Sequence, residues 1–357
     1  MRHPGIVRRQ ITQSDGTPSR KAEHLQINLE RDVRAKGVRS GFEAYRFQHC
    51  ALPEIDLNDV DTSCELYGRK LAAPILISSM TGGTPQAQAI NRTLASVAQA
   101  HRLAIGLGSA RALLEHPHLL PTFDVRAVAP DALIFANLGA VQLNRGYGAA
   151  ECAKIVQMLA ADALILHLNP LQEALQPYGD TSFRGLLAKI ASVCAALRVP
   201  IIVKEVGWGL SQSVVRALFD AGVNAVDVAG AGGTSWSEVE RYRMDEPWRA
   251  RVAAAFAGWG IPTAECIVAA RAAAPARTIF ASGGVRDGID VAKAVALGAD
   301  LVGAAAPFLT AAAESAAAAD ERAREIIQTL RLAMFSVGTR TLAELRSGER
   351  LNRATPA

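Results

Sequence analysis

From Leu71 onward, short runs rich in Val, Ile and Leu recur along the chain, each followed by an alanine-rich stretch with helical spacing. This repeat constrains the fold more than any other feature. The runs are APILISSM (73–80), LAIGLGS (103–109), ALIFANLG (132–139), ALILHLN (163–169), PIIVKEVG (200–207), NAVDVAG (224–230), RTIFASGG (277–284) and DLVGAAAP (300–307). Parallel strands cannot be joined by a tight turn, so a helix must carry the chain back each time. Eight such units predict a closed (β/α)8 barrel of the TIM type, with an open doubly wound sheet as the structural alternative. A chain of 357 residues suits one large barrel with additions. The expected division is an N-terminal extension over the mouth (1–70), the barrel (71–310) and a C-terminal helical segment (311–357). In that last segment, AAAESAAAADERAREIIQTLRLAMFS (311–336) reads as one helix that closes the barrel or joins a subunit interface.

Active sites of such barrels lie where strands run into the following helices, which directs attention to the C-terminal ends of the runs. HLNPLQE (167–173) is the most informative of them. Alternation puts Leu164, Leu166 and Leu168 on one face and His167 and Asn169 on the other, so outward leucines aim His167 and Asn169 inward. Just beyond, the amide Gln172 adjoins the carboxylate Glu173, offering a polar relay and a ligand for a hard cation. A capped strand end with a solvated Gln–Glu pair is the plainer reading. The longest connection, after the sixth run, carries Trp236, Tyr242, Trp248 and Trp259 and is either a lid or a helix on the flank.

After the seventh run, Gly283 and Gly284 leave backbone N–H groups open to an anion at the start of a helix, and Ala304 and Ala305 after the eighth allow a second close approach. A tight connection alone would also use two glycines, but phosphate capture at this place is a recurrent barrel device. Lys204, Asn137, the SSMTGG turn (78–83) and GGT (232–234) supply donors around the same mouth. A flat heterocycle ending in a phosphate would use that set, which favours FMN; no GxGxxG turn with a later ribose-binding acid is present for a dinucleotide. Lys204 is expected near the pyrimidine edge of the flavin, and an internal pair with Asp227 on the neighbouring strand is compatible with that role.

Residues 1–40 hold nine Lys/Arg against four acids, an excess of +5 in a chain of net charge +4, so a basic arm precedes a near-neutral body. Nucleic acid, an acidic membrane face or a small polyanion could meet such an arm; without interleaved aromatics, nucleic acid is the weakest candidate. No apolar run is long enough to span a membrane and no secretory signal is evident, so a cytoplasmic enzyme is expected, without a membrane or nucleic-acid partner. The five dispersed cysteines read as reduced thiols.

The motifs together resemble one family, the FMN-dependent type 2 isopentenyl diphosphate isomerases. The resemblance rests on RKAEHL (20–25), SSMTGGT (78–84), LGSAR (107–111), ANLGA (136–140), HLNPLQE (167–173), VKEVGWGLS (203–211), VAGAGGTSW (228–236) and SGGVRDG (282–288). It implies interconversion of isopentenyl and dimethylallyl diphosphate with reduced FMN and Mg²⁺, NADPH or another reductant for the flavin, and a homo-oligomer, tetramer or octamer. By position, it implies that Arg20, Lys21, His24, Arg111, Asn169 and Gln172 bind the prenyl diphosphate and that Glu173 ligates Mg²⁺. Ser79, Met80, Thr81, Ser109, Asn137, Lys204, Thr234, Gly283, Gly284, Arg286, Ala304 and Ala305 would contact the flavin, and Gln172 and His167 are the candidate catalytic side chains. A neutral amide is a poor base, so Gln172 is expected to orient or relay while the reduced flavin supplies the acid–base group. Three positions depart from the family pattern: Tyr178 and Thr181 replace an acid and an arginine, and Ala110 a glutamine, all expected beside the substrate.

Other functions compete. A 2-hydroxy acid oxidase needs a histidine near the sixth strand and a nucleotide dehydrogenase a nucleophilic cysteine there; VAGAGGTSW has neither. Another FMN barrel enzyme acting on a related prenyl phosphate, or a non-catalytic flavin or prenyl-diphosphate sensor, would keep the same pocket.

Overall fold

A computed structural model describes residues 17–354. Eight parallel strands close into a barrel: β1 Ile75–Ile77, β2 Ala104–Gly106, β3 Leu133–Gly139, β4 Ala163–Leu168, β5 Ile201–Glu205, β6 Ala225–Asp227, β7 Thr278–Ser282 and β8 Leu301–Ala304. Each pairs with its sequence neighbour, and β8 pairs with β1 to complete the ring. All eight predicted runs therefore supply a strand, and closure excludes the open sheet.

Strand alternation sorts the side chains into two cores. Ile77, Ile105, Ile134, Leu164, Leu166, Val203, Val226, Ile279 and Val302 face outward and pack beneath the helices. Leu76, Ala104, Leu133, Phe135, Ala163, Ile165, Ile202, Ala225, Phe280 and Leu301 fill the interior. Large and small residues meet in register, as with Phe135 opposite Ala163, so the barrel is packed solid rather than hollow. Phe135 stacks on Phe280 at 6.0 Å and 14°. Below them, the hairpin Cys64–Leu66/Arg69–Leu71 turns through Tyr67 and Gly68, both at positive φ, as a two-residue turn requires. It drives the Tyr67 ring edge-on against Phe135 at 6.3 Å and stoppers the N-terminal end of the barrel.

The expected single helix 311–336 is two. Ala306–Glu314 ends at Ser315, whose extended backbone breaks the run and whose hydroxyl accepts from the Ala318 N–H at 3.0 Å, capping Ala316–Ser336. That longer helix packs between Gly288–Ala296 and Pro85–His101 and closes the outer ring; a Cβ on Gly288 would lie 2.3 Å from the Ile326 carbonyl oxygen. The chain then returns to pair Leu351–Arg353 with Tyr45–Phe47 in the extension. Of the basic arm, Arg2, Arg8 and Arg9 lie outside the described residues. Helix Thr17–Glu30 stands at the mouth, and Arg34 bridges to Thr234 in the turn after β6. Among the described residues, no helix is long and apolar enough to cross a membrane.

Phe135 joins the plug to the barrel interior, so Phe135→Ala should cost about 3–5 kcal/mol of stability, read as a lowered urea midpoint with an unchanged slope.

Candidate active site

Above the last apolar layer, the inward positions of the strands turn polar or small. Continuing the alternation, they are Ser78, Gly106, Asn137, His167, Lys204, Asp227, Ser282 and Gly303. Gly139, His167, Lys204 and Asp227 are lateral partners across β3 to β6, so register alone sets this row side by side. Apart from Gly106 and Asp227, which lie just below, this layer floors one cavity of about 1080 Å³.

Most predicted site residues line that cavity: Arg20, Lys21, His24, Ser79, Met80, Thr81, Ser109, Arg111, Asn137, His167, Asn169, Gln172, Glu173, Lys204, Thr234, Gly283, Gly284, Arg286 and Ala305. Ala304 does not; strand alternation turns it into the outer core, while Gly303 and Ala305 on either side reach the cavity. The three departures from the family pattern do not line it either. Tyr178 is 92% exposed, Ala110 is fully buried between the cavity-lining Ser109 and Arg111, and Thr181 is exposed, so none of the three lines the cavity itself.

Glu173 and Gln172 ride on the short helix Pro170–Leu175 that follows β4. Asn169 is the N-cap residue, its backbone carbonyl accepting the Glu173 N–H at 3.0 Å, but its side chain makes no capping bond; instead its amide nitrogen donates to Gln172 Oε1 at 3.2 Å and to Glu173 Oε1 at 2.8 Å. The second Glu173 oxygen accepts the Asp180 N–H at 2.7 Å. The carboxylate is thus fixed from two sides rather than solvated. Among the described residues no group of three or more His, Cys, Asp or Glu side chains could hold a metal by itself.

The group that sequence reasoning missed is Glu240, on helix Trp236–Arg241. It is buried, and its Oε1 accepts from Gln172 at 3.0 Å and from Gln176 at 2.7 Å, with His24 Nε2 at 3.1 Å. Arg243 donates to its other oxygen at 2.7 Å. Burial pushes the Glu240 carboxyl up, but His24, Arg243 and Gln172 outweigh it and hold the group down at about 2. Trp236, edge-on to His24 at 5.2 Å, completes this roof, whereas Trp248 and Trp259 are exposed. The long connection is therefore a roof in its first helix and a flank in its second.

The N-terminal helix contributes cations. Arg20 donates to Gln176 at 3.0 Å, and Lys21 donates to the Ser109 carbonyl at 2.7 Å while lying over the Phe123 ring. Burial first, then the neighbouring Arg20 charge, lower the Lys21 ammonium to about 7; Glu115 opposes them, and Arg111 adds a smaller lowering. At the floor, His167 Nδ1 meets Asn137 Oδ1 at 2.7 Å, which places the proton on Nδ1 and leaves Nε2 bare. Burial, with Lys204 and Lys21 nearby, depresses its pKa to about 4.

The glycines have a packing reason. A Cβ on Gly283 would come within 2.1 Å of the Gly230 carbonyl oxygen, and one on Gly233 within 2.6 Å of the Gly284 nitrogen, because the turns after β6 and β7 cross in contact. Both turns still border the cavity. The hydroxyls of Ser78 and Ser79 and the side-chain Oδ1 of Asn169 are buried without a protein hydrogen-bond partner, as expected where a polar ligand supplies one.

These features define a flavin-type (β/α)8 enzyme. Residues 150–352 match the FMN-dependent dehydrogenase family. The isopentenyl-diphosphate delta-isomerase of a Nostoc species is 53% identical over 94% of this chain and 96% of its own length, and that of a Synechococcus species 54% identical over 94% and 97%. The chain belongs to the isopentenyl-diphosphate delta-isomerase family. Its fold is shared by a mandelate oxidase carrying an FMN adduct (TM-score 0.62, 19% identity, 94% and 92% of the two chains). A lactate oxidase of Pediococcus acidilactici is similar (TM-score 0.63, 17% identity, 93% and 87%).

The Asn137 contact sets the tautomer of His167, and burial beside Lys204 and Lys21 keeps the ring neutral. Histidine ¹⁵N shifts should show its Nδ1 protonated and Nε2 bare through the ordinary titration range near 6.5, with protonation only near pH 4; a normal titration would dissolve this assignment.

Proposed function

We propose that the protein interconverts isopentenyl diphosphate and dimethylallyl diphosphate, using reduced FMN and Mg²⁺, in isoprenoid precursor supply. One observation carries the reading: the Gln172–Glu173 pair, the Arg20–Lys21 cations and the Gly283–Gly284 turn all border a single cavity. The cavity suits a flavin, since unpartnered Ser78 and Ser79 hydroxyls and the Lys204 ammonium meet at its floor. Bound reduced FMN would supply the acid–base group for a proton shift along the alkene with no net redox change.

The side chains divide the remaining work. Arg20, Lys21 and Arg111 would grip the diphosphate, whose charge would restore the proton that burial loosens from Lys21. Glu173 would give Mg²⁺ one carboxylate oxygen, with substrate phosphates and water completing the octahedron, the usual arrangement for this ion. Gln172 has no accessible pKa near neutrality and cannot act as the base. With Asn169 holding its oxygen and Glu240 its nitrogen, its amide is locked in one orientation and would position the alkene. Sealing the roof, His24 and Trp236 would exclude water from the reacting carbons. NADPH or another donor would reduce the flavin, and assembly into a homo-oligomer and a cytoplasmic location follow from the same family reading. A 2-hydroxy acid oxidase, although it shares the fold, is disfavoured because the turn after β6 has no histidine.

Incubation of the protein with isopentenyl diphosphate, Mg²⁺ and dithionite-reduced FMN should yield dimethylallyl diphosphate; equal turnover with oxidised flavin, or none with reduced, would refute the proposal. Gln172→Ala should lower kcat about a hundredfold, the cost of misplacing the alkene, while FMN stays bound. Glu173→Gln should raise the Mg²⁺ needed for half-maximal rate at least about tenfold, the loss typical even of a residue that only supports a metal ligand; an unchanged metal dependence would remove it from the site.

A further inference from the structure

We propose that Asp227, acting with Ser282, is a positioning residue that holds the Lys204 ammonium in place beneath the flavin site; the inference rests on the FMN reading above. Lys204 and Asp227 are register partners on β5 and β6, and Asp227 lies below the cavity without bordering it. Its carboxylate is 1% exposed. One oxygen accepts the Ser282 hydroxyl at 2.8 Å and the Ala229 N–H at 3.2 Å. The other lies 3.6 Å from Lys204 Nζ and has no hydrogen-bond partner. The ammonium donates to the Glu205 carbonyl at 2.8 Å and to Ser282 Oγ at 3.3 Å.

Those two donations use two of the three ammonium N–H groups and leave the third for a ligand. Ser282 is committed in both directions, accepting from Lys204 and donating to Asp227, so the three side chains form one chain of hydrogen bonds with a full charge at each end. A free lysine stem would lose considerable rotamer freedom on being fixed, and one carbonyl contact would not fix it. Stability does not account for the arrangement, because a buried ion pair gains little over apolar packing of the same volume. Asp227 also ties down the turn that borders the cavity. Ala229 sits at φ +37°, a left-handed conformation that costs a residue with a Cβ free energy, and the Asp227 carboxylate accepts the N–H of that strained residue.

A double-mutant cycle on FMN affinity tests the idea. Flavin-free full-length protein is titrated with FMN and followed by flavin fluorescence. Asp227→Asn, which keeps the shape and removes the charge, should weaken binding about tenfold. In a Lys204→Met background the same change should alter affinity by less than about twofold. Ser282→Ala, which leaves both charges in place and carries the test if Asp227→Asn does not fold, should give a smaller loss that likewise disappears without Lys204. Losses that persist undiminished in the Lys204→Met background, or no loss in the wild-type background, overturn the positioning role alone. A wild-type protein that binds no FMN overturns the functional reading and this inference with it.

Discussion

Closure of the strands on themselves is the constraint on which everything else depends. Once eight strands share one interior, every second residue of each must point into a space that the others also fill. Phe135, Phe280, Leu133 and Ile165 occupy the lower layers, and the next inward position on each strand becomes the cavity floor. His167 and Lys204 adjoin because β4 and β5 are in register, with Asp227 on the far side of Lys204 for the same reason. A slip of one residue in any of these strands would turn its polar floor residue into the outer core.

Burying charge at that floor is costly unless each ion is answered. Here the answers are local and graded. Lys204 has Asp227, while His167, flanked by two lysines, stays neutral instead of adding a third cation. Glu205, pushed up to about 7 by burial, is opposed by the backbone N–H groups of residues 206–209 and by Lys204. At the roof the order reverses: one carboxylate, Glu240, gathers His24, Gln172, Gln176 and Arg243, so a single ion organises side chains from three separate elements.

Much of this was legible in the sequence because it is periodic or local. The eight strands follow from runs of Val, Ile and Leu, and the inward aim of His167 and Asn169 follows from the outward leucines, which the outer core contains. The amide–carboxylate pair after β4 was visible as adjacent letters. What escaped was set by contacts between distant segments. Gln172 meets Glu240 across 68 positions, and nothing near Glu240 marks it as buried. The break at Ser315 was hidden inside an alanine-rich stretch whose helical propensity never falters, and only the extended backbone there reveals the cap. Ala304 and Ala305 look equivalent as neighbours in sequence, yet strand alternation sends one outward. Glycines 283 and 284 were read for their openness to an anion, whereas the crossing of two turns already demands them.

Among the described residues, the packed interior and the hairpin that presses Tyr67 against the barrel bottom separate the cavity from that end, so it is reached from the mouth. On the proposed function, a flavin on the polar floor would lie deeper than a diphosphate gripped by the N-terminal helix, so it would arrive first and leave last. Exchange of the deeper occupant would therefore be slowed by the presence of the shallower one, without any gate having to move.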